Sequence, residues 1–187
     1  MKNDNIKCLT RGAVCIALSS VLSLIKVVDL PLGGGLTPCS MLPIILFCFI
    51  YDGKKAFLGA FAYSLVQTMF GLDSIQYGKN TVQVLLILIL DYILAYTFMG
   101  FSFVFKRKLG KNGIVPGTIL AITLRFLCHF ASGLIVWNNL FPNELGYAPV
   151  WWSFIYNGSY MLAELIVTTI AAFFIIRLIP MILNEEK

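Results

Sequence analysis

The sequence predicts an all-α integral membrane protein with six transmembrane helices and both termini on the cytoplasmic side. Three observations lead there. Hydrophobic residues make up 59% of the chain and charged residues 12%, about half the charged share of a soluble domain. The mean hydropathy is +0.86, and the apolar residues gather into long stretches separated by short polar turns. Finally, the basic residues fall almost entirely on alternate turns, as they do when cytoplasmic loops collect Lys and Arg.

In chain order, the apolar segments run Leu9 to Val28, Ser40 to Tyr51, Ala56 to Leu72, Val82 to Phe105, Ile114 to Trp137 and Trp152 to Leu183. The first follows a basic start but lacks a small-residue cleavage site, so it is expected to stay as a helix. The second is shorter than the usual ~17–25 residues. A tilt, a shallow insertion, or a merger with its neighbour through Tyr51-Asp52-Gly53-Lys54-Lys55 would accommodate it. The last is longer than a bilayer needs and is expected to emerge near Arg177 or Pro180. With both termini inside, Lys2, Lys7, Arg11, Lys54, Lys55, Lys106, Arg107, Lys108, Lys111, Arg177 and Lys187 lie on the inner side, and the outer loops hold Lys26 and Lys79. An odd number of spans would break this alternation. Too little polar sequence remains for a soluble domain, so residues 1–187 are expected to form a single membrane-embedded domain.

Within the fourth segment Asp91 sits near the middle, where a carboxylate costs about 2.5–3.5 kcal/mol on insertion scales. It should face a protein interior, a partner charge or a water-filled cavity. Tyr92 and Tyr96 beside it supply aromatic surface, and the group is read as facing a pocket for an organic cation. On the fifth segment Arg125, His129, Gly133 and Trp137 recur every four residues, so they line one helix face, and the glycine leaves room for a ligand or another helix. On the sixth, Asn157, Tyr160 and Glu164 share a face. Glu164 lies deep enough to need a partner, and Arg125 is the natural one. That pair is read as structural, with Asp91, His129 and Asn157 as the ligand-facing layer. On the first segment Ala13 and Ala17 form a small-xxx-small pair, broadened by Gly12, where another helix could approach closely.

The outer loops have unusual composition. Leu30 to Pro43, LPLGGGLTPCSMLP, is rich in Gly and Pro and can fold tightly over something, whereas Trp137 to Trp152, WNNLFPNELGYAPVWW, is polar and aromatic at once.

Several functions are disfavoured. The net charge of +5 is not gathered on an aromatic-interleaved face, which argues against nucleic-acid binding. The five cysteines show no CxxC or zinc spacing. The chain has no phosphate loop, no HExxH and no GxSxG, and its single histidine has no evident nucleophile to serve. Binding is therefore a better class than catalysis, and no metal or cofactor is expected.

Four stretches in one order, PLGGGLTPCSMLPI, LDYILAYTFMGF, RFLCHFASGLIVW and WWSFIYNGSYMLAE, resemble the thiamine-specific substrate-binding (S) component of energy-coupling factor transporters. The similarity runs through most of the chain. It implies a six-helix protein of the bacterial cell membrane that captures thiamine from outside and works with a transmembrane coupling subunit and two cytoplasmic ATPases. The family's acidic-Tyr pair falls on Asp91 and Tyr92, its His, Gly and Trp on His129, Gly133 and Trp137, and its asparagine on Asn157. Its alanine pair for docking to the coupling subunit falls on Ala13 and Ala17. Two departures stand out. Trp152 occupies a position where the family often has Tyr, and the first outer loop offers no aromatic before Phe47, a gap that Tyr77 of the second outer loop can fill. The expected role is capture of thiamine under the Gly-rich first loop, with Asp91 holding the cation, His129 and Asn157 engaging ring nitrogens, and Tyr92, Trp137 and Trp152 stacking. The alternatives are an S component for another vitamin or a pyrimidine precursor, and an intramembrane enzyme acting on a lipid.

Overall fold

The computed structural model describes residues 2–51 and 53–179, and these are almost entirely helical. Asp52, Lys187 and the expected end of the last segment between Pro180 and Leu183 lie outside the described residues. Helix α1 (Lys2–Ser23) leads into a small antiparallel hairpin of β1 (Val28–Asp29) and β2 (Gly35–Leu36). Helices α2 (Leu42–Ile50) and α3 (Lys54–Phe70) follow. Next, α4 (Thr81–Ile87) continues into a π-helical segment, Leu88–Leu94, a single turn, Ala95–Thr97, and a 3-10 segment, Phe98–Phe103. After a turn, α5 (Ile114–Ser132) continues into a second π-helical segment, Gly133–Trp137, and α6 (Pro149–Ile175) ends the described helices.

By length and composition, Asp4–Ser23, Thr81–Leu140 and Pro149–Ile175 are able to cross a membrane. The middle stretch is a hairpin. Asp91 bonds Trp137, Tyr96 bonds Arg125, and Gly117 abuts the Ser102 carbonyl, so residue numbers rise on one arm as they fall on the other. The absence of a Cβ at Gly117 lets the two backbones touch, because any side chain there would collide with that carbonyl. Helix α2 is different. Seven of its 9 residues are buried, as expected for a helix that is apolar on every side. At about 1.5 Å per residue it rises roughly 14 Å, less than half a hydrocarbon core. It is a central post of the core rather than a lipid-facing span.

Basic residues gather at one end. Lys106 Nζ donates to the Ile50 carbonyl (2.7 Å) and Arg11 Nη1 to the Tyr51 hydroxyl (2.9 Å), which gathers the start of α1, the α2–α3 turn and the hairpin turn together. The β-hairpin and the segments around Tyr77 and Phe141 lie at the other end, beside the main cavity. Between the two, α6 presents Leu162, Ile166, Ile170 and Phe173 outward, each more than half exposed, an apolar stripe suited to lipid.

Helix α1 corrects one expectation. Gly12 is buried against the Phe47 ring, whereas Ala13 and Ala17 are exposed on the outward face. The glycine serves internal packing and does not broaden the alanine strip.

Candidate ligand-binding site

Both helix irregularities sit where polar groups meet. In a regular α-helix residues eight apart are displaced by about 80° around the axis, so Trp137 would drift away from His129. The wider π turn at Gly133–Trp137 absorbs one extra residue and brings the indole back over the histidine face. Asp91 lies in the other π segment, on the facing arm.

The result is a three-donor cradle around one carboxylate. Asp91 Oδ2 accepts from Ser132 Oγ (2.6 Å) and from Trp137 Nε1 (2.9 Å), and Oδ1 pairs with His129 Nδ1 (2.9 Å). A carboxylate only accepts, so Nδ1 carries the proton of that bond, and Nε2 has no hydrogen-bond partner among the described residues. Asp91 is 8% exposed. Sequence reading pictured Asp91 meeting a cation directly. In the structure it also orients the histidine and the tryptophan.

Asp91, His129 and Trp137 line a cavity of about 780 Å³, along with Tyr92, Gly133, Asn157, Trp152 and Tyr77. Every ligand-facing residue expected from the sequence borders this one space. Tyr92 donates to the Gly71 carbonyl (3.2 Å), and its ring fills the place where a side chain at Gly71 would stand. Asn157 Nδ2 donates to Ser153 O (3.0 Å) and Oγ (3.2 Å), and its Oδ1 accepts from Tyr160 (3.0 Å). The amide therefore keeps one Oδ1 lone pair to offer. Gly133 makes room for a helix: a Cβ there would collide with Ser153 Oγ.

Aromatic rings form the walls. Trp137 stacks on Phe141 (6.2 Å, 22°), and Tyr77 meets Trp137 and Phe141 edge-on at 6.1 Å and 5.3 Å. Trp152 stacks on Tyr147 (6.4 Å, 13°) and lies 6.2 Å from the Tyr156 ring. The Gly-rich loop is pinned over the cavity by Tyr156, whose hydroxyl donates to the Pro31 carbonyl and accepts from Gly34 N. A Cβ at position 34 would stand 2.8 Å from the Tyr156 hydroxyl, so a side chain there would displace the tyrosine that pins the loop.

The expected Arg125–Glu164 ion pair is not formed. Arg125 instead donates to the Tyr96 hydroxyl (2.9 Å) and Met41 Sδ (3.0 Å), with its guanidinium carbon 4.5 Å from the Tyr96 ring centroid. Glu164 accepts from Thr37 N (3.1 Å) and Thr168 Oγ1 (3.2 Å). The Gly-rich loop thus captures the carboxylate through its backbone, a partner that no side-chain census reveals. Ser132, Ser153, Phe141 and Tyr156 were not anticipated either. A serine three residues after the histidine in an apolar helix was the available signal for Ser132.

The comparisons agree with this architecture. The thiamine transporter protein family (Thia_YuaJ) matches residues 9–184. The chain is 26% identical over 194 residues to the thiamine transporter ThiT of Bacillus subtilis (strain 168), covering 97% of this chain and 93% of that protein. Its fold is like that of ThiT from Listeria monocytogenes, with a TM-score of 0.76 at 20% identity over 95% of this chain and 97% of the other. With a match over nearly its whole length, this chain belongs to the thiamine transporter protein family, whose members are transporters rather than enzymes.

Proposed function

We propose that the chain is the thiamine-binding S component of an energy-coupling factor uptake transporter in the bacterial cell membrane. It forms one membrane-embedded domain of six spans with both termini cytoplasmic, the short α2 completing its crossing with the loop segment that leads into it. Thiamine binds from outside in the cavity under the Gly-rich loop. The observation that carries this reading is the buried Asp91 carboxylate bordering an aromatic-walled cavity.

The charges support a monocation. Counting formal charges in the deep layer, Asp91 and Glu164 are negative and Arg125 is positive, which leaves one net negative charge for a thiazolium to neutralise. Trp137, Tyr92 and Trp152 give the cation aromatic faces, each contact contributing about 0.5–2 kcal/mol. His129 Nε2 and the free lone pair of Asn157 can each accept from the exocyclic amine of the aminopyrimidine. Tyr77 closes the outer end. A transmembrane coupling subunit docks on the outward Ala13 and Ala17 strip, where small side chains permit close helix approach. Two cytoplasmic ATPases then power release inward.

The test is titration of detergent-purified protein with thiamine, followed through its tryptophan fluorescence. Saturable quenching is expected, because two of the 3 tryptophans border the cavity. A response to an uncharged pyrimidine equal to that for thiamine would contradict the cation assignment.

A further inference from the structure

At the end away from the ligand cavity, the turn between the two arms of the hairpin carries Lys106, Arg107, Lys108 and Lys111, and no acidic residue lies between Phe103 and Gly113. A second cavity, of about 620 Å³, opens at this turn. Phe49, Phe103 and Val104 form its apolar wall, and Lys106, Arg107 and Lys111 its rim. Lys106 is part of the frame, donating to the Ile50 carbonyl (2.7 Å) with its ammonium 5.9 Å from the Phe49 ring centroid. The side chains of Arg107, Lys108 and Lys111 are exposed, beside Val104 and Leu109, each 45% exposed. Gly110 has a φ of +55° and open space where a Cβ would stand, so the turn leaves its backbone uncovered.

We propose that this cleft seats an anionic phospholipid, with its phosphate on Arg107 and Lys111 and the start of its acyl chains on Phe103 and Val104. The two halves of the lining argue for one amphiphile. A free anion would gain nothing from the apolar wall, and a neutral lipid would gain little from the cationic rim. Arginine grips phosphate through two parallel N–H bonds while lysine adds a point charge. Exposed apolar groups directly beside cations are also the pattern of a chain held at a bilayer surface. Which leaflet supplies the lipid follows from the orientation proposed above, but the seat rests on the cavity and its charge alone.

The experiment is thermal unfolding of the full chain in dodecyl maltoside micelles doped with dioleoyl phosphatidylglycerol, dioleoyl phosphatidylcholine, or inorganic phosphate without lipid. Phosphatidylglycerol is expected to raise Tm by a few degrees, saturably, beyond any shift from phosphatidylcholine. The Arg107→Gln/Lys111→Gln variant should lose that increment, with an apparent affinity for the anionic lipid about thirtyfold weaker. Equal shifts with the two lipids would overturn the proposal, as would an undiminished shift in the variant. A shift reproduced by phosphate alone would make this a free-anion site and overturn the lipid assignment. If the variant kept the shift but lost transport in the presence of coupling and ATPase subunits, the face would be a protein interface instead. Thiamine quenching recorded on the same samples separates the two readings, since its loss with an intact lipid increment counts against thiamine binding and not against the lipid seat.

Discussion

Asp91 accepts three hydrogen bonds, and each donor depends on it in a different way. His129 gets its orientation, Trp137 gets its ring placement, and Ser132 only donates. Removing Ser132 by Ser132→Ala deletes one bond to a charged group without approaching a ligand stacked on Trp137. Thiamine affinity should fall by up to roughly 10- to 100-fold, bounded by the worth of about 1.5–3 kcal/mol for one hydrogen bond to a charged group. Isothermal titration would measure it, and an unchanged affinity would show that the cradle does not depend on this serine. The need for a partner at Asp91 was legible in the sequence, because a mid-helix carboxylate in an apolar run is expensive wherever it points. Its partners were legible only in part. His129 and Trp137 stood out as rare residue types, whereas Ser132 is chemically inconspicuous. Arg125 and Glu164 were rightly marked as needing partners. The pairing failed because it depends on how the arms are spaced and on a backbone N–H from Thr37.

At the scale of elements, the two π segments do what a regular helix cannot. They put Asp91 and Trp137 in contact between α4 and α5, which keep regular α geometry before each π segment. Deleting Ile135, which is 53% exposed, should remove the extra residue and restore α geometry, leaving Trp137 seven residues from His129 and only about 20° from it around the axis. Thiamine should then still quench that indole, and the protein should still fold. Fluorescence of the deletion variant checks both statements. Nothing in LILDYIL or GLIVW announces a π turn, since the extra residue is accommodated by what packs across from it. Close packing gives a second expectation. Gly117→Ala would push a methyl into the Ser102 carbonyl, and because backbone cannot step aside, the hairpin should lose about 1–3 kcal/mol or more of stability, visible as a lower Tm. The loop pinned by Tyr156 gives a third. Tyr156→Phe removes the bonds to Pro31 and Gly34, and the loop should open more often. Stopped-flow fluorescence should show faster thiamine dissociation with little change in association.

Over the whole molecule, composition and charge placement were the most legible features, because neither requires knowing which helix touches which. Apolar length marks a segment wherever it packs, and the basic residues do gather at one end around Tyr51 and Ile50. The short second segment was legible too, but not that seven of the 9 residues of α2 are buried among its neighbours. The orientation itself is open to test. In a cysteine-free background, Lys108→Cys should react with a membrane-impermeant maleimide in inside-out vesicles and not in intact cells. Labelling from outside would reverse the topology and exclude capture from the exterior at the Gly-rich end.

The most direct measurement is a calorimetric titration of thiamine into the wild-type protein and into Asp91→Asn, which keeps the shape and removes the charge. Wild type should saturate at one thiamine per chain, and the variant should bind roughly 10- to 100-fold more weakly, the worth of about 1.5–3 kcal/mol for a charged hydrogen-bonding partner. Equal affinities would mean that the carboxylate does not hold the cation, and the site would have to be sought elsewhere in the molecule.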